Sequence, residues 1–449
     1  MAEGWRPVFS QQRTHERAVE HALSLPLILG RRTISRSLCA LDRADRDWSA
    51  DYKLFSRSLW DASRLFDPVG ENYLERYDRG PIIVALDDSS YPKTGKKIPG
   101  AGWHKDPLSP PFQVNLRFGL RFLQASLVYP LHREGNFSAR AIPIGFDHAP
   151  SVKKPGRRAS VEEQQAYRRL KKQNNLSRYA IRQLKRVRRR LDEQGAVLRP
   201  LWAVLDGSFC NRTIFRAPWD RVVLLARCRK DARLCQPALG PGRRRYDAHV
   251  VTPESLRTDP SVVWKRIRIH YANQRRWIRV KEVGPILWRR GAGTQPLRLI
   301  VIAPQPYKSS KRGRIYYRDP AYVLTTDLNS SLKRMVQAYF DRWQIEVNHR
   351  DQKSLLGVGQ AQVRSPHSVP RHPALSVASY SLLLLAGLKT FGPGRSDALS
   401  PLPKWRKQPP HRFSTLDLFT QLRREINETS DSKLLPSTIS KNLLAYAYT

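Results

Sequence analysis

Two short apolar runs, each followed directly by aspartate, constrain the fold of this chain most. Residues 81–86 lead into Asp87 and Asp88, and residues 201–205 lead into Asp206. Apolar runs of this length are typical of buried β-strands. Strand ends hold side chains rigidly, as a catalytic or metal site requires. A lone aspartate there is more often an ordinary turn residue, so the runs predict strands without yet predicting a function.

A later helix supplies a third acidic residue. The apolar spacing predicts one long helix over residues 332–356. At about 100° per residue, Tyr339, Arg342, Glu346 and Lys353 share one narrow stripe of this helix. The alternative is a surface helix with an ordinary ion pair. Two strand-end aspartates and this glutamate are the oxygen donors that a two-metal phosphodiester site needs.

The charge of the chain points to a polyanionic partner. It has 80 Lys and Arg against 38 Asp and Glu, a formal net charge of +42 at pH 7. Such a protein repels itself unless a polyanion neutralises it, and nucleic acid is the first candidate. A metabolic enzyme with a small neutral substrate does not need this charge, whereas a merely soluble basic protein remains the alternative.

The basic residues are densest in a predicted helix over residues 160–193. Its candidate phosphate contacts are Arg186, Arg189 and Arg190. A solvated helix face is the ordinary explanation of a charge run. Here the excess of basic residues is so one-sided that we expect little internal ion pairing, which favours a face turned to phosphate.

The pattern along the chain predicts five segments. Residues 1–78 are helical, and the basic turn at 30–37 suits either DNA contact or an ordinary helical bundle. Residues 79–211 combine strands with the basic helix, and 212–330 read as strands separated by Gly and Pro. Residues 331–392 hold the long helix and a second apolar helix, and 393–449 form a linker and a helical tail.

Cysteine content and hydropathy give expectations about location. Four cysteines without a usual zinc spacing predict neither a disulfide framework nor a zinc site, so a reduced cytoplasm is the default. The apolar run 374–388 is too short and too polar to span a bilayer, so we expect a buried helix and no membrane partner. The tail helix predicted around 414–426 either reaches a partner chain or packs on its own chain, through Leu416, Leu418, Phe419 and Leu422.

The long helix carries a family resemblance. Tyr-x2-Arg-x3-Glu-x6-Lys, from Tyr339 to Lys353, resembles the signature of the DDE-type transposases of bacterial insertion sequences. The segments after Leu86 and after Leu205 are similar to the two aspartate motifs of that group. The resemblance covers roughly residues 30–390. It implies an α/β, RNase H-like mixed-sheet core with a β-rich insertion before the glutamate and a helical N-terminal DNA-binding region.

The same resemblance implies a metal site. Asp206 and Glu346 match the second and third metal ligands, and the cofactor would be Mg²⁺ or Mn²⁺. The first ligand is either Asp87 or Asp88, since both fit the motif. We prefer Asp87, because successive strand residues face opposite ways and one of the two binds metal.

DNA-contacting residues follow by the same matching. Tyr339, Arg342 and Lys353 would contact phosphates at the transposon end. Some relatives stack a flipped base on a tryptophan of the insertion. Trp288 is our first candidate, with Trp264 and Trp277 behind it, and a tryptophan packed in the core is the alternative for each.

The predicted function is therefore that of a DNA transposase. It would hydrolyse transposon ends with Mg²⁺ and join the freed 3′-hydroxyl to target DNA, in the cytoplasm of a bacterium at the nucleoid. Its partner is double-stranded DNA, both ends and target. Two ends and one active site per chain predict a dimer on end DNA. The alternatives are a two-metal nuclease or integrase without transposition, and a DNA-binding protein without catalysis.

Overall fold

The computed structural model describes residues 2–106, 109–110, 112–238, 246–271, 273–310, 312–406 and 410–429. Over these residues the protein is a mixed α/β protein with one twelve-stranded sheet of parallel and antiparallel strands. The chain divides into two compact units. The sheet unit comprises Val69–Thr94 and Gly100–His349, and the helical unit comprises Met1–Pro68, Gly95–Pro99 and Arg350–Thr449.

The sheet unit contains every strand described. In chain order these are β1 (Ile82–Pro92), β2 (Gly102–Lys105), β3 (Leu116–Tyr129), β4 (Arg140–His148), β5 (Leu201–Leu205), β6 (Val222–Arg227), β7 (Leu234–Pro237), β8 (Tyr246–Val251), β9 (Lys265–Tyr271), β10 (Gln274–Leu287), β11 (Pro296–Ile302), β12 (Pro306–Lys308), β13 (Ile315–Tyr317) and β14 (Ala321–Thr325). The sheet order is β2-β3-β1-β5-β6-β14-β11-β10-β7-β8, with β4 on β3 and β9 on β10, while β12 and β13 pair separately.

The two predicted apolar strands lie side by side inside this sheet, between β3 and β6. β1 and β5 are parallel, in register from Ile82 opposite Leu201 to Leu86 opposite Leu205. Both runs are buried throughout, as expected for strands covered on both faces. The expectation that β1 ends before its aspartates was wrong. Antiparallel pairing with β3 carries β1 on to Pro92 after the pairing with β5 has ended.

The strand-rich prediction for 212–330 is confirmed, and its strands extend the same sheet. β14 pairs with β6, with Val323 opposite Arg227, and β11 and β10 follow. One apolar core therefore runs from β1 and β5 to β9 and β10, and Met335 and Val336 pack against it.

Each long helix predicted in this region is divided into two. The basic segment forms α5 (Val161–Gln173) and α6 (Leu176–Leu191), separated where the Asn175 side chain caps α6 by accepting from the Arg178 amide. The later segment forms α9 (Leu332–Asp341) and α10 (Gln344–Ser354). Between them the Trp343 amide donates to Phe340 and the Ile345 amide to Arg342. These i to i−3 bonds tighten the turn and interrupt the ideal 100° spacing. The remaining helices are α4 (Asp67–Arg76), which joins the two units, α7 (Arg212–Phe215) and α8 (Pro253–Thr258).

The helical unit confirms the predicted helical N-terminus. It contains α1 (Gln12–Ser24), α2 (Ile34–Ala40), α3 (Ser49–Ser56), α11 (Ser368–Phe391) and α12 (Thr415–Thr429). In the predicted DNA-contacting stretch, Ser37 is buried and hydrogen-bonds His21, so this part of α2 serves packing.

For the C-terminal helices, one expectation needs correction and one of two open alternatives is favoured. α11 has 24 residues and is long and apolar enough, by length and composition, to cross a membrane, so the predicted shortness was wrong. About 67% of its most apolar window is buried inside the protein, as a core helix requires. α12 packs on α11, because Leu418 and Phe413 fill the space over Gly387. Of the two alternatives for the tail helix, the structure therefore supports packing on its own chain. Residues 430–449 lie outside the described residues.

Candidate functional site

The sheet brings two of the predicted acidic residues together at one edge. Asp87 and Asp206 each stand one position beyond the last pair of the parallel β1–β5 ladder, Leu86 and Leu205. Strands that run in the same direction bring these positions to the same edge of the sheet. The third acidic residue, Glu346, lies in the first turn of α10.

Arg342 links the glutamate to this edge. Its guanidinium lies 3.9 Å from Asp206 Oδ1 and 3.9 Å from Glu346 Oε1. The arginine is only 11% exposed, whereas each of the two carboxylates is 39% exposed. Its Nη1 is buried and has no hydrogen-bond partner among the described residues. A buried guanidinium nitrogen without an acceptor is costly, so an anionic oxygen that reached Nη1 would be favoured there.

Asp87 shows that negative charge is crowded here. Burial, followed by the nearby charge of Glu346, raises the pKa of Asp87 to about 8, although Arg342 opposes the shift. Asp87 keeps only 16% of its side chain exposed. A carboxyl whose pKa is raised by burial and by a neighbouring carboxylate marks a candidate functional site, and a bound cation would lower that pKa.

The structure distinguishes Asp87 from Asp88. Successive strand residues point to opposite faces. Asp87 is on the face of the sheet that is turned toward Glu346. Its Oδ1 accepts a hydrogen bond from the Asp88 amide at 2.9 Å. Asp88 instead faces Arg121, whose pKa is lowered by burial while the charge of Asp88 opposes that change. Of the two candidates, Asp87 is the one that stands with the other carboxylates.

His349 is a neighbour of the site that the sequence analysis missed. It is buried, and its Nε2 lies 3.8 Å from Asp87 Oδ2. It follows Glu346 by three positions, a spacing that puts both side chains on one helix face. That spacing is the signal that would have found it.

Asn348 fixes the helix that carries Glu346. Its Oδ1 accepts from Gln124 Nε2 and Ser126 Oγ, both at 3.2 Å, and its amide donates to the Ala141 carbonyl at 3.0 Å. α10 is therefore tied to β3 and β4 by a buried polar network. The partners lie more than 200 positions away in the sequence, so no local pattern could have predicted it.

A cavity of about 280 Å³ lies beside Arg342. Its lining includes two of the predicted phosphate contacts, Tyr339 and Arg342. Arg227, Arg318 and several aromatic side chains also line it, together with Asp319, Gln305 and aliphatic residues. Burial, above all, raises the pKa of Tyr339, so its hydroxyl stays protonated and can donate a hydrogen bond.

The remaining predicted DNA contacts are scattered. Lys353 is exposed in the last turn of α10 and belongs to the helical unit. Trp288 is half-buried and packs edge-on against Phe215, with ring centroids 5.4 Å apart. Trp264 is half-buried, while Trp277 is 58% exposed. Among the three tryptophans considered, Trp277 therefore has the side chain that is open to a partner.

The expectation that α6 lacks internal ion pairs was wrong. Arg186 binds both carboxylate oxygens of Asp147, at 2.7 and 2.5 Å. Arg189 is exposed and lies 3.9 Å from Glu193, and Arg190 is half-buried. Asp147 comes from β4, so a charge count over the predicted helix does not include it, whereas Glu193 lies within that helix and was outnumbered in the count.

The three carboxylates fit a hard divalent cation in donor type, because Mg²⁺ and Mn²⁺ prefer oxygen ligands. In their present arrangement, no group of three or more His, Cys, Asp or Glu in the described ranges is close enough to hold a metal ion. Arg342 stands between Asp206 and Glu346. No protein-family model and no curated protein matches this chain.

Proposed function

We propose that this protein is a DNA transposase of the DDE type, with an RNase H-like core and a β-rich insertion. One observation carries the proposal. Asp87, Asp206 and Glu346, far apart in sequence, stand together at the edge of two parallel strands and around one buried arginine. The signature spacing from Tyr339 to Lys353 supports it from the sequence.

In this proposal Asp87, Asp206 and Glu346 hold Mg²⁺ or Mn²⁺. When bound, the metal supplies activation of the attacking oxygen and stabilisation of the leaving oxygen of a phosphodiester. Arg342 turns from the two carboxylates to a phosphate of the DNA, which gives its buried Nη1 an acceptor. Metal binding is thus coupled to DNA binding, because the arginine leaves as the phosphate arrives.

The reaction has two steps. In the first, a water oxygen bonds to a phosphorus at the element end, and the bond from that phosphorus to the 3′-oxygen breaks. The products are a 5′-phosphate and a free 3′-hydroxyl. In the second, this hydroxyl attacks a target phosphodiester, whose own 3′-oxygen leaves. Each element end needs one such site, so two chains assemble on the DNA.

The test is a cleavage assay on a duplex that carries the DNA flanking the gene. Glu346→Gln preserves shape and removes the charge, so we expect cleavage to fall by at least about 100-fold while DNA binding persists. Glu162→Gln, at an exposed position of α5, is the control and should cleave like the wild type. Equal cleavage by Glu346→Gln would refute the site, and binding without any wild-type cleavage would favour a non-catalytic DNA-binding protein.

A further inference from the structure

β9 and β10 form an antiparallel ribbon with two unlike faces. Arg266 stands opposite Arg279, Arg268 opposite Trp277, and His270 opposite Arg275. Directly opposed residues share a face, and every second residue returns to it. The arginine–tryptophan face comprises five exposed residues, which are Arg266, Arg268, Arg275, Trp277 and Arg279. The other face carries Ile267, Ile269, Ile278 and Val280 and packs on the core.

The charges on this face lack an acidic partner in the part of the chain that the structure describes. Among the described residues, none of its four arginines forms an ion pair with a carboxylate. On the opposite side of the same ribbon, Lys265 does pair with Glu282, at 3.0 Å. Arg266 and Arg279 stand directly across from each other, and like charges in that position destabilise a sheet. The repulsion between these two arginines opposes folding, and a bound polyanion would offset it.

We propose that the arginine–tryptophan face binds the phosphate backbone of duplex DNA. A two-stranded ribbon has the width of the B-DNA major groove, and planar guanidinium groups match phosphate oxygens. The Arg266 guanidinium lies 5.3 Å from the ring of Trp277, so the tryptophan orients one of the binding groups. The inference rests on the proposed function, in which DNA is the substrate. It adds the surface that holds the DNA outside the catalytic site.

The ribbon is rigidly joined to the helix that leads to this site. Gln337 on α9 accepts from the His270 amide at 2.7 Å and donates to the His270 carbonyl at 2.8 Å. Tyr271, the last residue of β9, packs edge-on against Phe340, with ring centroids 4.9 Å apart. Arg342 follows Phe340 by two positions in the sequence. DNA bound to the ribbon would therefore lie on an element that contacts the helix leading to the carboxylates.

The test removes two charges from the ribbon and two from a matched place. Arg266→Gln/Arg279→Gln is compared with Arg79→Gln/Arg229→Gln, whose exposed arginines each lie beside an aspartate, Asp78 and Asp231. Fluorescence anisotropy measures the affinity of the full chain for a gene-flanking duplex and for an unrelated duplex at several salt concentrations. For the ribbon variant we expect the salt slope to fall by about 0.9 per lost contact, equally for both duplexes. The control should keep its slope.

A charge reversal separates binding from folding. Arg266→Glu places a carboxylate opposite Arg279, so the thermal midpoint should hold or rise while DNA affinity falls. Wild-type salt slopes in the ribbon variant would overturn the inference and leave the transposase proposal standing. A wild-type protein that binds neither duplex would overturn the proposed function itself.

Discussion

α6 and the arginine–tryptophan face are both rich in arginine, yet they differ in whether these arginines have acidic partners. On α6, Arg186 is held by Asp147 and Arg188 by Asp192. On the ribbon, the described structure gives the arginines no acidic partner. A count of basic residues selects α6, whereas the contacts select the ribbon. The comparison shows that charge density alone does not tell which arginines have an acidic partner, because acids both near and distant in sequence can pair with them.

The largest expected effect distinguishes a catalytic arginine from a binding arginine. Arg342→Ala should lower cleavage of a gene-flanking duplex by about 100-fold or more, because it removes a donor that meets the phosphate at the carboxylates. Its affinity for unrelated DNA should change by less than about threefold. Single-turnover cleavage and anisotropy on the same preparation measure both. A uniform loss of binding without a specific loss of cleavage would place Arg342 with the ribbon.

The next effect compares the two basic surfaces directly. Replacing Arg186, Arg189 and Arg190 together with alanine should lower the salt slope by less than the roughly 2.7 expected for three phosphate contacts at 0.9 each. Arg186 is already bound to Asp147, so its charge is not free for DNA. Salt titrations of this variant and of Arg266→Gln/Arg279→Gln give the two slopes. A larger loss of salt slope per replaced residue on α6 than on the ribbon would show that α6 is the more important DNA-binding surface.

A smaller effect comes from a buried carboxyl whose pKa is raised by burial. Burial raises the pKa of Asp341 to about 7, and burial lowers the pKa of nearby His132 to about 4. Between about pH 4 and 7 folded Asp341 holds a proton that the unfolded chain releases, so stability falls as pH rises through that window. Asp341→Asn should therefore raise the thermal midpoint by about 2–4 °C at pH 8, and by less at pH 5. Calorimetry at both values checks this, and a gain that does not grow with pH would contradict it.

The smallest effect concerns the ion pair on α6. Arg186 and Asp147 are about a quarter exposed, so Arg186→Ala should cost no more than about 1 kcal/mol of unfolding free energy. Arg182→Ala, at an exposed α6 position over Tyr179, serves as the control for loss of an arginine from this helix. Urea denaturation measures both. An equal cost for the two would show that the pair with Asp147 contributes nothing specific.

The sequence predicted the elements that depend on local pattern. β1 and β5 are buried strands, and Glu346 is on a helix, because apolar runs and helical spacing decide such elements. The extension of β1 to Pro92 and the split between α9 and α10 escaped prediction. The first depends on pairing with β3, and the second on a tight turn at Arg342 within an otherwise helical pattern.

For the candidate site, the sequence predicted the residues better than their spatial arrangement. Asp87, Asp206 and Glu346 were named from the pattern, but their grouping around Arg342 needs the parallel β1–β5 pairing. The ribbon face escaped because strand alternation becomes informative only when the register of β9 on β10 is known. Acidic partners such as Asp147 escaped for the same reason, since they come from another part of the chain.

Strand transfer tests the central claim most directly. Purified protein, Mg²⁺, a labelled duplex ending in the gene-flanking sequence and a target plasmid are incubated, and the joints are sequenced. The account predicts covalent joints between the 3′ end of the duplex and the plasmid, made by the wild type and lost in Glu346→Gln, which still binds the duplex. Joints formed equally by Glu346→Gln, or none formed by a wild-type protein that binds the duplex, would contradict it.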